Sequence, residues 1–123
     1  MKIGEVCLLT TDVVRLADFY KSLLKVDNGS DDAVHQTILA GETMLTVTHE
    51  EHAPKGQNIC LAFTVDDLDE EYKRVLALGA EIVEGPALRP WGALNMSFRD
   101  PDGNVVYFRH FLSRNDLNSM EKE

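Results

Sequence analysis

The sequence predicts an α+β fold built from two tandem βαβββ modules. Three observations carry that prediction: a repeat with a period of about half the chain, one apolar stripe in each helical segment, and a turn-closed hairpin ending each half. The repeat sets Glu5–Leu24 (EVCLLTTDVVRLADFYKSLL) beside Cys60–Gly79 (CLAFTVDDLDEEYKRVLALG). Each copy opens with β-favouring residues, meets an aspartate and continues with helical periodicity.

In the first copy Asp12 can cap a helix whose stripe is Val13, Leu16, Ala17, Tyr20, Leu23 and Leu24. In the second, Asp66 or Asp67 can cap, Leu68, Tyr72, Val75 and Leu76 form the stripe, and Gly79 ends it. After the first helix, Val34–Ala40 and Thr43–His49 read as strands joined by Gly41-Glu42. After the second, Ala93–Arg99 and Asn104–Phe111 are joined by Asp100-Pro101-Asp102-Gly103, in which proline pre-sets φ and glycine supplies a positive φ. A short strand is expected at Glu81–Glu84, before a Gly85-Pro86 turn. Its first-half counterpart is expected within KVDNGSDD. Module one is placed at about residues 1–50 and module two at about 58–112, with Glu50–Gln57 as linker and 113–123 as a polar tail, frayed or weakly helical.

A lone copy would leave one face of its sheet bare, and strand parity says which residues that face carries. Val106 and Phe108 are expected against the second helix, which turns Val105, Tyr107 and Arg109 away; Ile59, Leu61 and Phe63 oppose Cys60, Ala62 and Thr64 in the same manner. In the first half, Val6, Leu8, Leu45 and Val47 go to the helix, and Glu5, Cys7, Leu9, Met44, Thr46 and Thr48 go away from it. A trough lined by both repeats is the expected result.

Composition limits the function. The chain has 123 residues, 44% hydrophobic and 27% charged, which fits one soluble globular domain. A net charge of −9, with 12 basic residues that form no cluster, argues against nucleic acid and anionic membrane as partners. No apolar run is long enough to span a bilayer, and the amino-terminal stretch lacks the pattern of a secretory signal, so a cytoplasmic location is expected. Cys7 and Cys60 are too few for a disulfide framework and are expected to be reduced.

The paired modules, TDVVRLADFYKSLL after the first strand, Trp91-Gly92, and RDPDGNVVYF together resemble the vicinal oxygen chelate superfamily. That superfamily includes glyoxalase I, extradiol dioxygenases, and fosfomycin- and bleomycin-resistance proteins. The resemblance covers Met1 to Phe111, and its motifs are most similar to the metal-free bleomycin-resistance-like group. It implies a cupped mixed sheet around a cavity, a homodimer, and four equivalent metal-ligand positions on the first and last strand of each module. In metal-dependent members these are His, Glu or Gln holding a divalent Lewis acid. The matching positions here are Glu5, Thr46, Cys60 and Tyr107, which depart from the pattern at three of the four.

Each candidate has an ordinary reading beside the functional one. Glu5 is either a ligand or general base, or an exposed acid. Cys60 is either a soft-metal ligand or nucleophile or, flanked by apolar residues and with no nearby cation to lower its pKa, a small buried filler, and the filler is the reading taken. Thr46 is a weak ligand for any divalent metal. Tyr107 offers a hydrogen bond and an aromatic face to a pocket. Trp91 is either a stacking residue or a loop anchor, and Arg109 either holds an anion or pairs with a surface carboxylate. His35, His49, His52 and His110 lack metal-ligand spacing and are read as solvated.

The expectation is a protein that binds a small organic molecule without a catalytic metal or other cofactor, through Glu5, Cys7, Thr46, Cys60, Trp91, Tyr107 and Arg109. The alternative is an enzyme: a metal-dependent lyase or isomerase resembling glyoxalase I with Glu5 as the one conventional ligand, or a metal-free enzyme with Glu5 as base and Tyr107 as acid. A catalytic metal normally keeps about three protein ligands, which separates the readings.

Overall fold

In the computed structural model, which describes residues 3–55, 60–90, 92–113 and 115, the apolar stripes and strand pairings organise two compact units. The first contains β1 (Glu5–Thr10), α1 (Val13–Leu24), β2 (His35–Ala40) and β3 (Thr43–His49). The second contains β4 (Cys60–Thr64), α2 (Leu68–Ala77), β5 (Glu81–Arg89), β6 (Ala93–Arg99) and β7 (Val105–Phe111).

In the first unit the sheet order is β1-β3-β2, with β1 parallel and β2 antiparallel to β3. The Asp12 carboxylate caps α1 by accepting the Arg15 N–H at 3.2 Å. The helix buries Val13, Leu16, Ala17, Tyr20 and Leu23, the stripe read from the sequence less Leu24, which is half-buried. Beneath it lie Leu8, Ile38, Leu45 and Val47. No strand forms in Lys25–Ala33. Its polar side chains instead satisfy the local backbone: the Asp32 carboxylate accepts the Val34 and His35 N–H groups at 2.7 and 3.0 Å, and Asn28 Oδ1 accepts the Ser30 N–H at 2.9 Å. Such side-chain acceptors compete with a sheet ladder, so the strand expected there is absent and β2 is left as a sheet edge.

The second unit has the order β4-β7-β6-β5, with β4 parallel to β7 and the other pairs antiparallel. Asp67 is the α2 cap, accepting the Glu70 N–H at 3.2 Å. Leu68 and Val75 are buried, Tyr72 is half-buried, and Leu76 is 49% exposed, so the apolar stripe is narrower than its spacing suggests. β5 is longer than expected. It runs through Gly85-Pro86, where the β5–β6 register shifts between Glu84 and Ala87, so this dipeptide makes a bulge within the strand rather than a turn after it. Phe98, Val106, Phe108 and Met96 fill the core, with Phe98 and Phe108 edge to face at 5.0 Å between ring centres.

The β6–β7 turn is built as its sequence demands. Gly103 has φ 84°, and the buried Asp100 carboxylate accepts the Asn104 backbone N–H at 2.9 Å and its Nδ2 at 2.8 Å. The tail expected to be frayed lies outside the described residues apart from Ser113 and Asn115. No helix among the described residues is long and apolar enough to cross a membrane.

Two stability outcomes follow. Leu16→Ala should destabilise the protein by about 3 kcal/mol through the cavity left under α1, read as a lower denaturation midpoint at unchanged denaturant slope. Asp100→Ala should cost about 2 kcal/mol, because the half-buried Asn104 loses the acceptor of both its backbone N–H and its side-chain amide. Asp100→Asn, which keeps one acceptor oxygen, should recover part of that loss in the same measurement.

Candidate functional site

Each helix covers one face of its sheet, and the register assigns the other face. In the first unit three cross-strand rows point away from α1: Glu5–Met44–Leu39, Cys7–Thr46–Thr37 and Leu9–Thr48–His35. Glu5, Cys7 and Leu9, on the edge strand β1, are exposed. Thr46, on the central strand between Cys7 and Thr37, is only 2% exposed.

The polar groups of this face bond one another. Thr46 Oγ1 donates to Glu5 Oε2 at 3.0 Å, across the diagonal that neighbouring strands allow. Cys7 Sγ donates to Thr48 Oγ1 at 3.6 Å, and Thr48 Oγ1 lies 2.8 Å from His35 Nδ1. His35 Nε2 is 3.5 Å from Thr37 Oγ1. His35 is exposed, in keeping with the solvated reading, and both of its ring nitrogens also have partners on this face. Its partner Thr48 is thirteen positions away in sequence and becomes a neighbour only through the β2–β3 pairing. His49 and His52 are exposed, and half-buried His110 donates from Nδ1 to the Val65 carbonyl at 3.0 Å.

In the second unit the face away from α2 carries Cys60, Ala62 and Thr64 on β4, Val105, Tyr107 and Arg109 on β7, and Ser97 and Asn95 on β6. Cys60 is exposed and so is not the buried filler expected from its apolar flanks. β4 is an edge strand, and parity turns Cys60 away from the helix. Partial desolvation still pushes its thiol above the ordinary value. Tyr107 is half-buried beside Ala62 and Ser97.

Arg109 is not paired with a surface carboxylate among the described residues. Its Nε donates to Thr64 Oγ1 at 3.0 Å, and its guanidinium lies 5.2 Å from the centre of the Phe111 ring. Asn95, opposite Arg109, was not singled out from the sequence, yet its Oδ1 is buried with no hydrogen-bond partner among the described residues. Only the register reveals it. Trp91, the expected stacking residue, lies outside the described residues.

The charge on this face is nearly balanced, although the chain carries −9. Arg89 pairs with Glu84 at 2.6 Å and Arg99 with Glu81 at 3.7 Å. The donor chemistry does not suit a divalent ion. Of Glu5, Thr46, Cys60 and Tyr107 only Glu5 is a conventional hard ligand, and among the described residues no three His, Cys, Asp or Glu side chains are grouped to hold one.

Comparison with solved structures returns the same architecture. A glyoxalase/bleomycin resistance protein/dioxygenase from Nocardioides is 22% identical with a TM-score of 0.76, covering 93% of this chain and 85% of that one. A family enzyme of the same description from Burkholderia phytofirmans is 18% identical with a TM-score of 0.77, covering 89% and 98%. The fosfomycin resistance protein FosX from Listeria monocytogenes is 16% identical with a TM-score of 0.76, covering 94% and 97%. No curated protein matches in sequence. At these identities the structures speak for the fold alone, whereas a family model matches residues 2–108. On that match, the chain belongs to the glyoxalase/bleomycin resistance protein/dioxygenase superfamily.

Proposed function

We propose that this chain binds a small organic molecule on the sheet faces turned away from its helices, and that it does so without a catalytic metal. One observation carries the reading. At the four positions where metal-dependent members of the family place their ligands stand a carboxylate, a hydroxyl, a thiol and a phenol, and the carboxylate already accepts the Thr46 hydroxyl at 3.0 Å. This set is suited to hydrogen bonding and contact rather than to Lewis-acid coordination.

The near-balanced charge of the second unit's face narrows the guest. A cationic ligand, which the overall acidity suggests, gains little beside Arg109, Arg89 and Arg99. A neutral polar molecule with a planar part suits the half-buried Tyr107 of this face better. The protein is further read as a cytoplasmic homodimer with its functional domain in residues 1–112, in keeping with its family and with two free cysteines.

The test begins with metal analysis after incubation with zinc, nickel, manganese and iron. No stoichiometric retention is expected. An ion held one per chain and lost in Glu5→Ala would replace this reading with a metal-dependent lyase or isomerase. A thermal-shift screen of small neutral compounds comes next. A true guest at about a hundredfold its Kd should add about 2.7 kcal/mol of stability, and Tyr107→Ala should remove most of the shift.

A further inference from the structure

The hydrogen bonds on the first unit's open face have a consistent direction. The Cys7 thiol donates to Thr48 Oγ1 at 3.6 Å, so the single Thr48 hydroxyl proton is left for His35 Nδ1, 2.8 Å away. A neutral ring accepting at Nδ1 carries its proton on Nε2, where Thr37 Oγ1 lies 3.5 Å away as acceptor. Three strands thus supply a path from a thiol, through one hydroxyl, to an imidazole. The pairings Leu9↔Thr48 and His35↔Thr48, together with Cys7↔Thr46 one step along, bring these groups to one face.

From this geometry we propose that Cys7 is a nucleophile activated by His35 through Thr48, and that it captures small conjugated electrophiles such as an enone or an α,β-unsaturated amide. This goes beyond reversible binding of a guest and does not depend on it. In the step, the Cys7 proton passes to Thr48 as the Thr48 proton passes to His35 Nδ1. Sulfur bonds to the β-carbon of the alkene, the π pair moves to the α-carbon, and the proton returns from His35 to that carbon. Atoms and electrons balance with no leaving group and no co-reactant. Cys7 is exposed, so the electrophile has access, and Leu9, 47% exposed in the adjoining row, offers apolar contact to its carbon chain.

Among the described residues, the charged and titratable groups around the relay are few. Asp32, just before β2, interacts electrostatically with His35, and its carboxyl is held below the usual range chiefly by the Val34 and His35 N–H groups. Glu5 lies two residues from Cys7 on β1 and is bonded to Thr46. On β3, His49 has the opposite parity to Thr48. The charged residues of α1, Arg15, Asp18 and Lys21, belong to the helix on the other face. Lys21 is occupied by Asp18, Asn28 and the Ser30 carbonyl.

Acrylamide is the probe, and Cys60 is the internal control. Cys60 is exposed too, has no hydrogen-bond partner among the described residues, and has its thiol pushed upward. Adduct formation at each cysteine is followed by peptide mass spectrometry between pH 5 and 9. Cys7 should react about tenfold faster than Cys60 at pH 7, and its rate should begin to rise at lower pH than that of Cys60. His35→Gln and Thr48→Val should each return Cys7 to the free-thiol profile, whereas Thr48→Ser, which keeps the hydroxyl, should retain the wild-type one. If Thr48→Val does not fold, His35→Gln and Thr48→Ser decide. A Cys7 rate and pH profile matching Cys60, or unchanged by His35→Gln, overturns the proposal.

Discussion

One helix over one face of a sheet is the constraint from which the site geometry descends. A strand's side chains alternate, so α1 can bury only every second residue of β3: Leu45 and Val47 lie beneath it, while Thr46 and Thr48 must serve the other side. A slip of one residue would exchange these sets, placing hydroxyls in the core and leucine and valine in the open. The parallel pairing with β1 and the hairpin at Gly41, which has φ 63°, hold the register against that slip. The polar face is therefore fixed by the same burial that stabilises the fold, and its residues need no separate scaffold.

Charge is distributed by the same division of labour. Much of the acidity sits on helices and loops, with Asp69, Glu70 and Glu71 in the first turn of α2, where carboxylates complement the helix dipole. The open face of the second unit instead pairs its acids with arginines and leaves Arg109 against Thr64 and Phe111. Net charge thus describes the solvated exterior and says little about what the open faces would recognise.

Legibility in the sequence followed the range of the interactions. The α1 stripe, the Asp12 cap and the Asp100–Gly103 turn are set by neighbours within a few positions, and each could be read directly. Strand parity also reads well, which is why Glu5, Cys7, Thr46 and Tyr107 were placed on the correct face. Signals that needed a partner strand were lost. Cys60 looked buried because its flanks are apolar, but an edge position exposes it. The Thr48 partner of His35 was missed because it is distant in sequence, and Asn95 drew no notice because its position opposite Arg109 exists only in the pairing. Gly85-Pro86 carries the chemistry of a turn, yet β6 continues beside it and the chain bulges instead of reversing.

The two units differ by one strand, and that difference decides what each face can do. β5 covers the outer edge of β6, so β6 is interior: Ala93 and Ser97 are almost wholly buried and Asn95 Oδ1 is sealed from solvent. Polar groups held in that way are positioned and largely desolvated, which suits recognition by hydrogen bonds. In the first unit Lys25–Ala33 spends its hydrogen-bonding capacity on local turns, no fourth strand forms, and β2 is the edge. His35 and Leu39 remain exposed on that edge. A buried acceptor in one unit and an accessible thiol–imidazole path in the other are thus two results of a single variable, the presence or absence of a covering strand.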